Sequence, residues 1–337
     1  MSELTRSRRV PLLDGIRGVA VLLVITSHAM GPEVEPMGAV GVTVFFVLSG
    51  YLITTLLLEE QGLTGRISRP RFYARRARRL LPALGVLLSA ELAWRVAAGA
   101  SLTPTMIAGA YGTNIALALG LDASSLGHTW SLALEEQFYL LWPLLLPVLM
   151  RRRPMVAIAC AAAASALGRV VLYLLAPWPV SFFGPLTRAD AILVGCAVAI
   201  ALRQGWQPSK PRLAAGVGAL LLAASSVTMG LPAAVVLIAP AAIATALLIA
   251  WATSGPADAL ASTLSWSPLR YTGRISYGLY LWHPLVLSLA LDRHLPVLAF
   301  TIVGSFSIAT MSWLVIERPM LRVQPQALRP APHPLGV

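Results

Sequence analysis

The chain has 337 residues, 57% of them hydrophobic and only 12% charged, with a mean hydropathy of +0.74. A water-soluble domain carries about twice that charged fraction, so composition excludes an ordinary cytosolic enzyme, a disordered chain and a disulfide-stapled secreted module. The 26 basic and 14 acidic residues leave a net charge of +12, but the arginines stand in short loops between apolar runs, where charge sets membrane orientation rather than nucleic-acid binding.

Apolar segments fall at roughly 16–30, 38–58, 80–98, 105–120, 131–150, 154–176, 186–202, 211–230, 233–252, 277–291 and 296–316, many of them near the ~20 residues that cross a bilayer. Arg6, Arg8 and Arg9 place the N-terminus inside, and no cleavable signal peptide is expected there. The run Arg66 to Arg79 is also inside, which leaves the acidic turn Gly31 to Glu35 outside. Arg151–Arg153, Arg203, Lys210, Arg212, Arg318 and Arg322 read as cytoplasmic only if one segment before Arg151 fails to cross. The weakest is 105–120, interrupted by Gly109, Gly112 and Asn114; partial entry is allowed where protein or water covers the backbone. The expectation is an all-α polytopic membrane protein: a bundle of about ten transmembrane helices plus one re-entrant or interfacial segment. Both termini are cytoplasmic in this map, the membrane domain spans 1–320, and 321–337 form a disordered cytoplasmic tail.

A charged side chain at the bilayer centre costs roughly 2.5–3.5 kcal/mol on insertion scales, so each one retained asks for a partner or a task. In the first span Arg17 and His28 are eleven residues apart. On a helix they point the same way to within ~20°, about 16 Å apart along the axis. One apolar face thus carries a permanent cation and, deeper, a titratable imidazole. Snorkelling or bonding to a neighbouring helix is the plainer account of the two, but a functional task for the pair is favoured over it.

The run Arg71-Phe72-Tyr73-Ala74-Arg75-Arg76-Ala77-Arg78-Arg79 has two readings. It is a topological flank that also binds anionic lipid, or its arginines, at helical spacing, grip phosphates. His128-Thr129-Trp130-Ser131-Leu132-Ala133-Leu134-Glu135-Glu136 opens an apolar helix. Thr129 or Ser131 is placed to cap it, and a first-turn Glu135 suits the helix dipole. Adjacent carboxylates diverge by ~100°, so one of Glu135 and Glu136 turns into the bundle. Glu136 is the expected one, as partner to the His28 imidazole. Arg188 and Asp190 open another span, where Asp190 neutralises a neighbouring arginine. Ser276, Tyr280 and His283 share a helical face, and His283 reads as structural because Pro284 frees backbone that needs partners. Cys160 and Cys196 make no metal spacing, and no metal is expected.

Taken in order, these segments resemble the acyltransferase 3 family of bacterial integral-membrane O-acyltransferases. The resemblance rests on Leu13-Asp14-Gly15-Ile16-Arg17-Gly18 with His28, Gly41 to Leu52, Phe72 to Arg79, Trp130 to Tyr139, Arg188-Ala189-Asp190, Ser276 to His283, and Glu317-Arg318-Pro319. It implies a bacterial cytoplasmic-membrane enzyme with an acyl-CoA donor, short-chain such as acetyl-CoA, as substrate rather than resident cofactor. It implies a hydroxyl acceptor on a sugar, envelope glycan or small natural product, an essential Arg17–His28 pair and an important Arg76–Arg79 pair. Some family members carry a fused extracytoplasmic esterase-like domain after the bundle; none is expected within these 337 residues.

O-acylation needs a base for the hydroxyl proton, the usual task of histidine, so His28 is the candidate base or transient acyl carrier. Arg17 orients the donor, and Arg76 and Arg79, with Arg75 and Tyr73 beside them, hold nucleotide phosphates. Trp130, Ser131, Arg188, Asp190, Ser276, Tyr280 and His283 are supporting residues. The alternative is a proton-coupled transporter or flippase, which ten helices with buried Arg, Glu and His also describe.

Overall fold

The computed structural model describes residues 11–31, 34–227 and 235–322. Among them every regular element is helical. In chain order these are α1 (Pro11–Met30), α2 (Glu35–Thr64), α3 (Arg69–Ala97), α4 (Thr103–Gly109), α5 (Thr113–Ala118), a 3₁₀ turn (Ser124–Thr129) and α6 (Trp130–Leu149). Then come α7 (Pro154–Leu175), α8 (Trp178–Phe183), α9 (Ala189–Arg203), α10 (Pro211–Val227) and α11 (Ile238–Thr253). The chain continues with α12 (Ala259–Leu264), α13 (Ser267–Arg274), α14 (Ser276–Asp292), α15 (Val297–Ser312), a π-turn (Trp313–Glu317) and α16 (Arg318–Arg322).

Among the described residues six stretches are long and apolar enough to cross a membrane: Pro11–Met30, Pro36–Thr64, Arg69–Ala97, Ser124–Leu149, Pro154–Leu175 and Val297–Arg322. The other four expected spans correspond to α9, α10, α11 and α14, which have 15, 17, 16 and 17 residues. Segment 105–120 does break, into α4 and α5, at Tyr111 in a left-handed conformation (φ 54°) followed by Gly112. Neither half, at ~1.5 Å per residue, reaches across a bilayer. The expected tail lies outside the described residues from 323 onward, and α16 carries helix through Arg322. The short helices α12 and α13 escape the apolar pattern. Asp258 caps α12 by accepting from the Ala261 N–H (2.9 Å), and α13 is strongly amphipathic.

The bundle is built around α2. Of its most apolar stretch 78% is buried inside protein, against 17% for α7, so α2 is the central pillar and α7 a peripheral helix. Two glycines allow a close crossing of α2 and α9. A methyl at Gly50 on α2 would fall on the Ile192 carbonyl of α9, and one at Gly195 on α9 would fall on the Val47 carbonyl of α2. Small residues allow such approach where lipid supplies no hydrophobic drive. On its other side α1 meets α13 in the same manner through Gly18 and Gly273, and Gly15 of α1 meets the Leu264 carbonyl that ends α12. This clamps the Arg17 end of α1 and leaves its far end, with His28, beside α14.

Candidate active site

Helices α1, α2, α3, α6 and α14 enclose a chamber that is partly open at its mouth. Arg17, Arg76 and Arg79 line it, with Glu135 as its carboxylate and Ser49, Ser131, Tyr139, Ser276, Tyr277 and Tyr280 as further polar walls. The carboxylate is already occupied: Ser49 Oγ donates to Glu135 Oε1 (2.8 Å) and Tyr139 Oη to Oε2 (3.2 Å). Arg76 lies 3.7 Å over the Tyr139 ring and 3.5 Å from Glu136 Oε1. The Nε atoms of Arg17 and Arg76 are buried without a partner among the described residues. With three guanidiniums against one carboxylate on its wall, the chamber is built for an anion.

Above it sits a cluster of imidazoles. His28 Nδ1 is 2.8 Å from His283 Nε2, with ring centres 5.0 Å apart and planes within 8°. His283 is fully buried, whereas His28 remains exposed. His128 meets the His283 ring edge-on at 5.9 Å, and its Nδ1 donates to the Ser125 carbonyl (3.2 Å). The wall between chamber and cluster is polar. Tyr280 Oη donates to the His128 carbonyl (2.6 Å), so the 2.6 Å bond between Ser131 and Tyr280 is donated by Ser131. A buried ion pair on α3 anchors this roof from behind. Arg95 Nε donates to Glu91 Oε1 (2.9 Å), and Ser125 Oγ donates to the same oxygen (2.5 Å). Among the described residues no group of His, Cys, Asp or Glu is placed to hold a metal ion.

The family model described as an acyltransferase domain, that of the acyltransferase 3 family, matches residues 10–317. The chain belongs to the acyltransferase 3 family. It is 32% identical to YrhL of Bacillus subtilis (strain 168), named as a candidate peptidoglycan O-acetyltransferase, over 93% of this chain and 55% of the relative. It is 32% identical to the peptidoglycan O-acetyltransferase OatA of Listeria monocytogenes, over 95% of this chain and 57% of that protein. With OatA of Staphylococcus aureus (strain NCTC 8325 / PS 47) the identity is 29%, over 95% and 58%. The chain thus spans a little over half the length of the curated relatives it matches. No solved structure matches it.

In this acyltransferase 3 chain most of the residues singled out in the sequence converge, but not always in the expected pairs. Glu135, not Glu136, faces the chamber; Glu136 serves Arg76 instead. Neither carboxylate hydrogen-bonds His28, whose partner is His283. The dipole account of Glu135 fails because α6 begins at Trp130, which puts Glu135 beyond the first turn, and no side chain caps that helix. Thr129 donates back to the Leu126 carbonyl (2.7 Å). Arg75 and Tyr73 stay outside the chamber: Arg75 pairs with Glu60 (3.3 Å) and Tyr73 Oη donates to the Leu140 carbonyl (2.8 Å). Ser276 and Tyr280 line the chamber, one turn apart on α14, and His283 lies behind Tyr280.

Arg188 and Asp190 part company. Asp190 pairs with Arg169 of α7 (2.8 Å), which is itself buried and donates to the Thr187 carbonyl (2.6 Å). Arg188 has no hydrogen-bond partner among the described residues; its guanidinium rests 5.1–5.5 Å from the rings of Phe46, Trp130 and Phe182. A desolvated cation over aromatic faces gains about 2 kcal/mol or more, and this cage holds Trp130 in place next to Ser131. Sequence reasoning passed over Ser49, Tyr139, Tyr277, Arg169 and the role of His128. The available signal was a hydroxyl, a cation or an imidazole inside or beside an apolar run.

Proposed function

We propose that this chain is a membrane-embedded O-acyltransferase that moves a short acyl group from acyl-CoA to a hydroxyl. The observation that carries this is the stacking of two chemistries: a three-arginine chamber below, and an imidazole pair above it across the Ser131–Tyr280 wall. Arg76 and Arg79, with Arg17, hold the phosphates of the donor. The pantetheine arm extends along the Ser131–Tyr280 wall toward His28. The acceptor oxygen attacks the thioester carbonyl, the C–S bond breaks, and the hydroxyl proton passes to His28 and on to the departing thiolate. In a two-step variant His28 carries the acyl group in between.

The similarity to peptidoglycan O-acetyltransferases favours a sugar hydroxyl of peptidoglycan as acceptor. In the topology we propose, ten helices cross the cytoplasmic membrane of a bacterium (α1, α2, α3, α6, α7, α9, α10, α11, α14 and α15) and both termini are cytoplasmic. The chamber is then at the cytoplasmic level and His28 toward the outer face. Reporter fusions at Arg152 and Gly205 should read inside and one at Pro179 outside; Arg152 reading outside breaks the map from α6 onward. The function is tested by thiol release from acetyl-CoA with purified protein. Release that depends on an added peptidoglycan disaccharide supports a transferase. Transport of the disaccharide with no CoA released would make the chain a carrier.

A further inference from the structure

We propose that His283 is the positioning residue of His28, fixing its proton on Nδ1 and leaving Nε2 as the bare nitrogen that meets the hydroxyl. This rests on the reading of His28 as the base. The argument begins at Pro284, which has no N–H and so leaves the Tyr280 carbonyl, four residues earlier, without its helical donor. His283 Nδ1 fills that vacancy, 2.9 Å from the Tyr280 carbonyl and 3.1 Å from that of Leu279. Carbonyls only accept, so this nitrogen carries the hydrogen, and a neutral imidazole then has only a lone pair at Nε2.

That lone pair faces His28 Nδ1 at 2.8 Å. The ring centres are 5.0 Å apart in nearly parallel planes, close to the widest spacing that such a nitrogen–nitrogen contact permits. The bond therefore runs along the line of centres, within both rings, as an imidazole–imidazole hydrogen bond requires. His28 Nδ1 donates it. His28 Nε2 is left as the acceptor, makes no hydrogen bond among the described residues, and belongs to a side chain that stays exposed.

When the acceptor hydroxyl gives its proton to Nε2, the Nδ1–H of the resulting imidazolium makes a charge-assisted bond to His283, which stays neutral. The role is that of the acid in a hydrolase triad, which holds tautomer and orientation, performed here by a second imidazole on a proline-freed carbonyl. Among the described residues no carboxylate bonds either ring. His128 and Tyr280 are the other titratable side chains in ring contact with the pair.

Two measurements on the full chain test this. In ¹⁵N-histidine-labelled protein, the resonances lost in His28→Gln should report a protonated Nδ1 and a bare Nε2. His28 protonated at Nε2 overturns the proposal, and this readout needs no altered His283. In acetyl-CoA turnover with a peptidoglycan disaccharide, His283→Phe should lower kcat about 10- to 10²-fold and leave KM for acetyl-CoA nearly unchanged. His283→Gln, whose amide oxygen can accept from Nδ1, should recover much of the loss. Unchanged kcat in His283→Phe, or no recovery in a folded His283→Gln protein, overturns the proposal. Full turnover in His28→Gln is a separate result: it removes His28 as the base, and this proposal with it.

Discussion

On the chamber side the cations are permanent charges held loosely. Arg76 leans on a tyrosine ring and a 3.5 Å carboxylate, and two guanidinium Nε atoms have no partner among the described residues. On the histidine side the groups are titratable and held tightly, by bonds of 2.8 to 3.1 Å that begin at a freed backbone carbonyl. Spare donors suit a site that fills when a polyanion arrives. A fully connected pair suits a site that must present one nitrogen in one protonation state. The contrast implies that donor affinity and turnover can be altered separately.

The largest expected break is on the histidine side. His28→Ala should lower kcat by ~10²–10⁴, the usual range for a lost general base, measured as acceptor-dependent thiol release. On the chamber side Arg79→Ala should weaken CoA by about 10- to 10²-fold, the worth of a charge-assisted hydrogen bond or two, read by calorimetry. Arg79→Lys should recover only part, because it lacks the planar fork.

The acidic pair belongs to the chamber side, Glu135 in its wall and Glu136 on Arg76. Glu135→Gln and Glu136→Gln should each change CoA affinity by only a few-fold, about 1 kcal/mol, and leave the pH profile of kcat unshifted, since neither touches His28. A shifted profile in either would mean that the two halves are coupled through α6. The smallest effect is expected at Arg75, 37% exposed and paired with Glu60. Arg75→Ala should change CoA affinity less than twofold, in keeping with a surface pair worth ~0–1 kcal/mol. A loss as large as that of Arg79→Ala would move the phosphate site out of the chamber.

How far the sequence foretold this depends on whether a feature is local. The apolar runs located the long helices, and the glycine-broken segment 105–120 proved to be two short ones, because a ~20-residue run and its interruption are readable along the chain. The Arg17–His28 alignment is likewise a property of one helix. Partnerships across the bundle were not readable. His28 and His283 are 255 positions apart, and only Pro284 hinted at an unusual backbone. It gave a structural reason for His283, whose ring also meets His28. Asp190 was expected to neutralise an arginine, and does, but the arginine is Arg169, 21 positions away inside the alanine-rich α7. Glu136 was favoured over Glu135 because the start of α6 was placed as a capped turn; a 3₁₀ turn in front of it shifts the register of the dipole argument.

The most direct test of the division between chamber and histidines is the affinity of His28→Ala for CoA, measured beside that of the unaltered protein. The account predicts equal affinities, with acceptor-dependent turnover lost. A His28→Ala protein that is folded yet binds CoA as poorly as Arg79→Ala would contradict it, because the imidazole would then belong to the donor site itself.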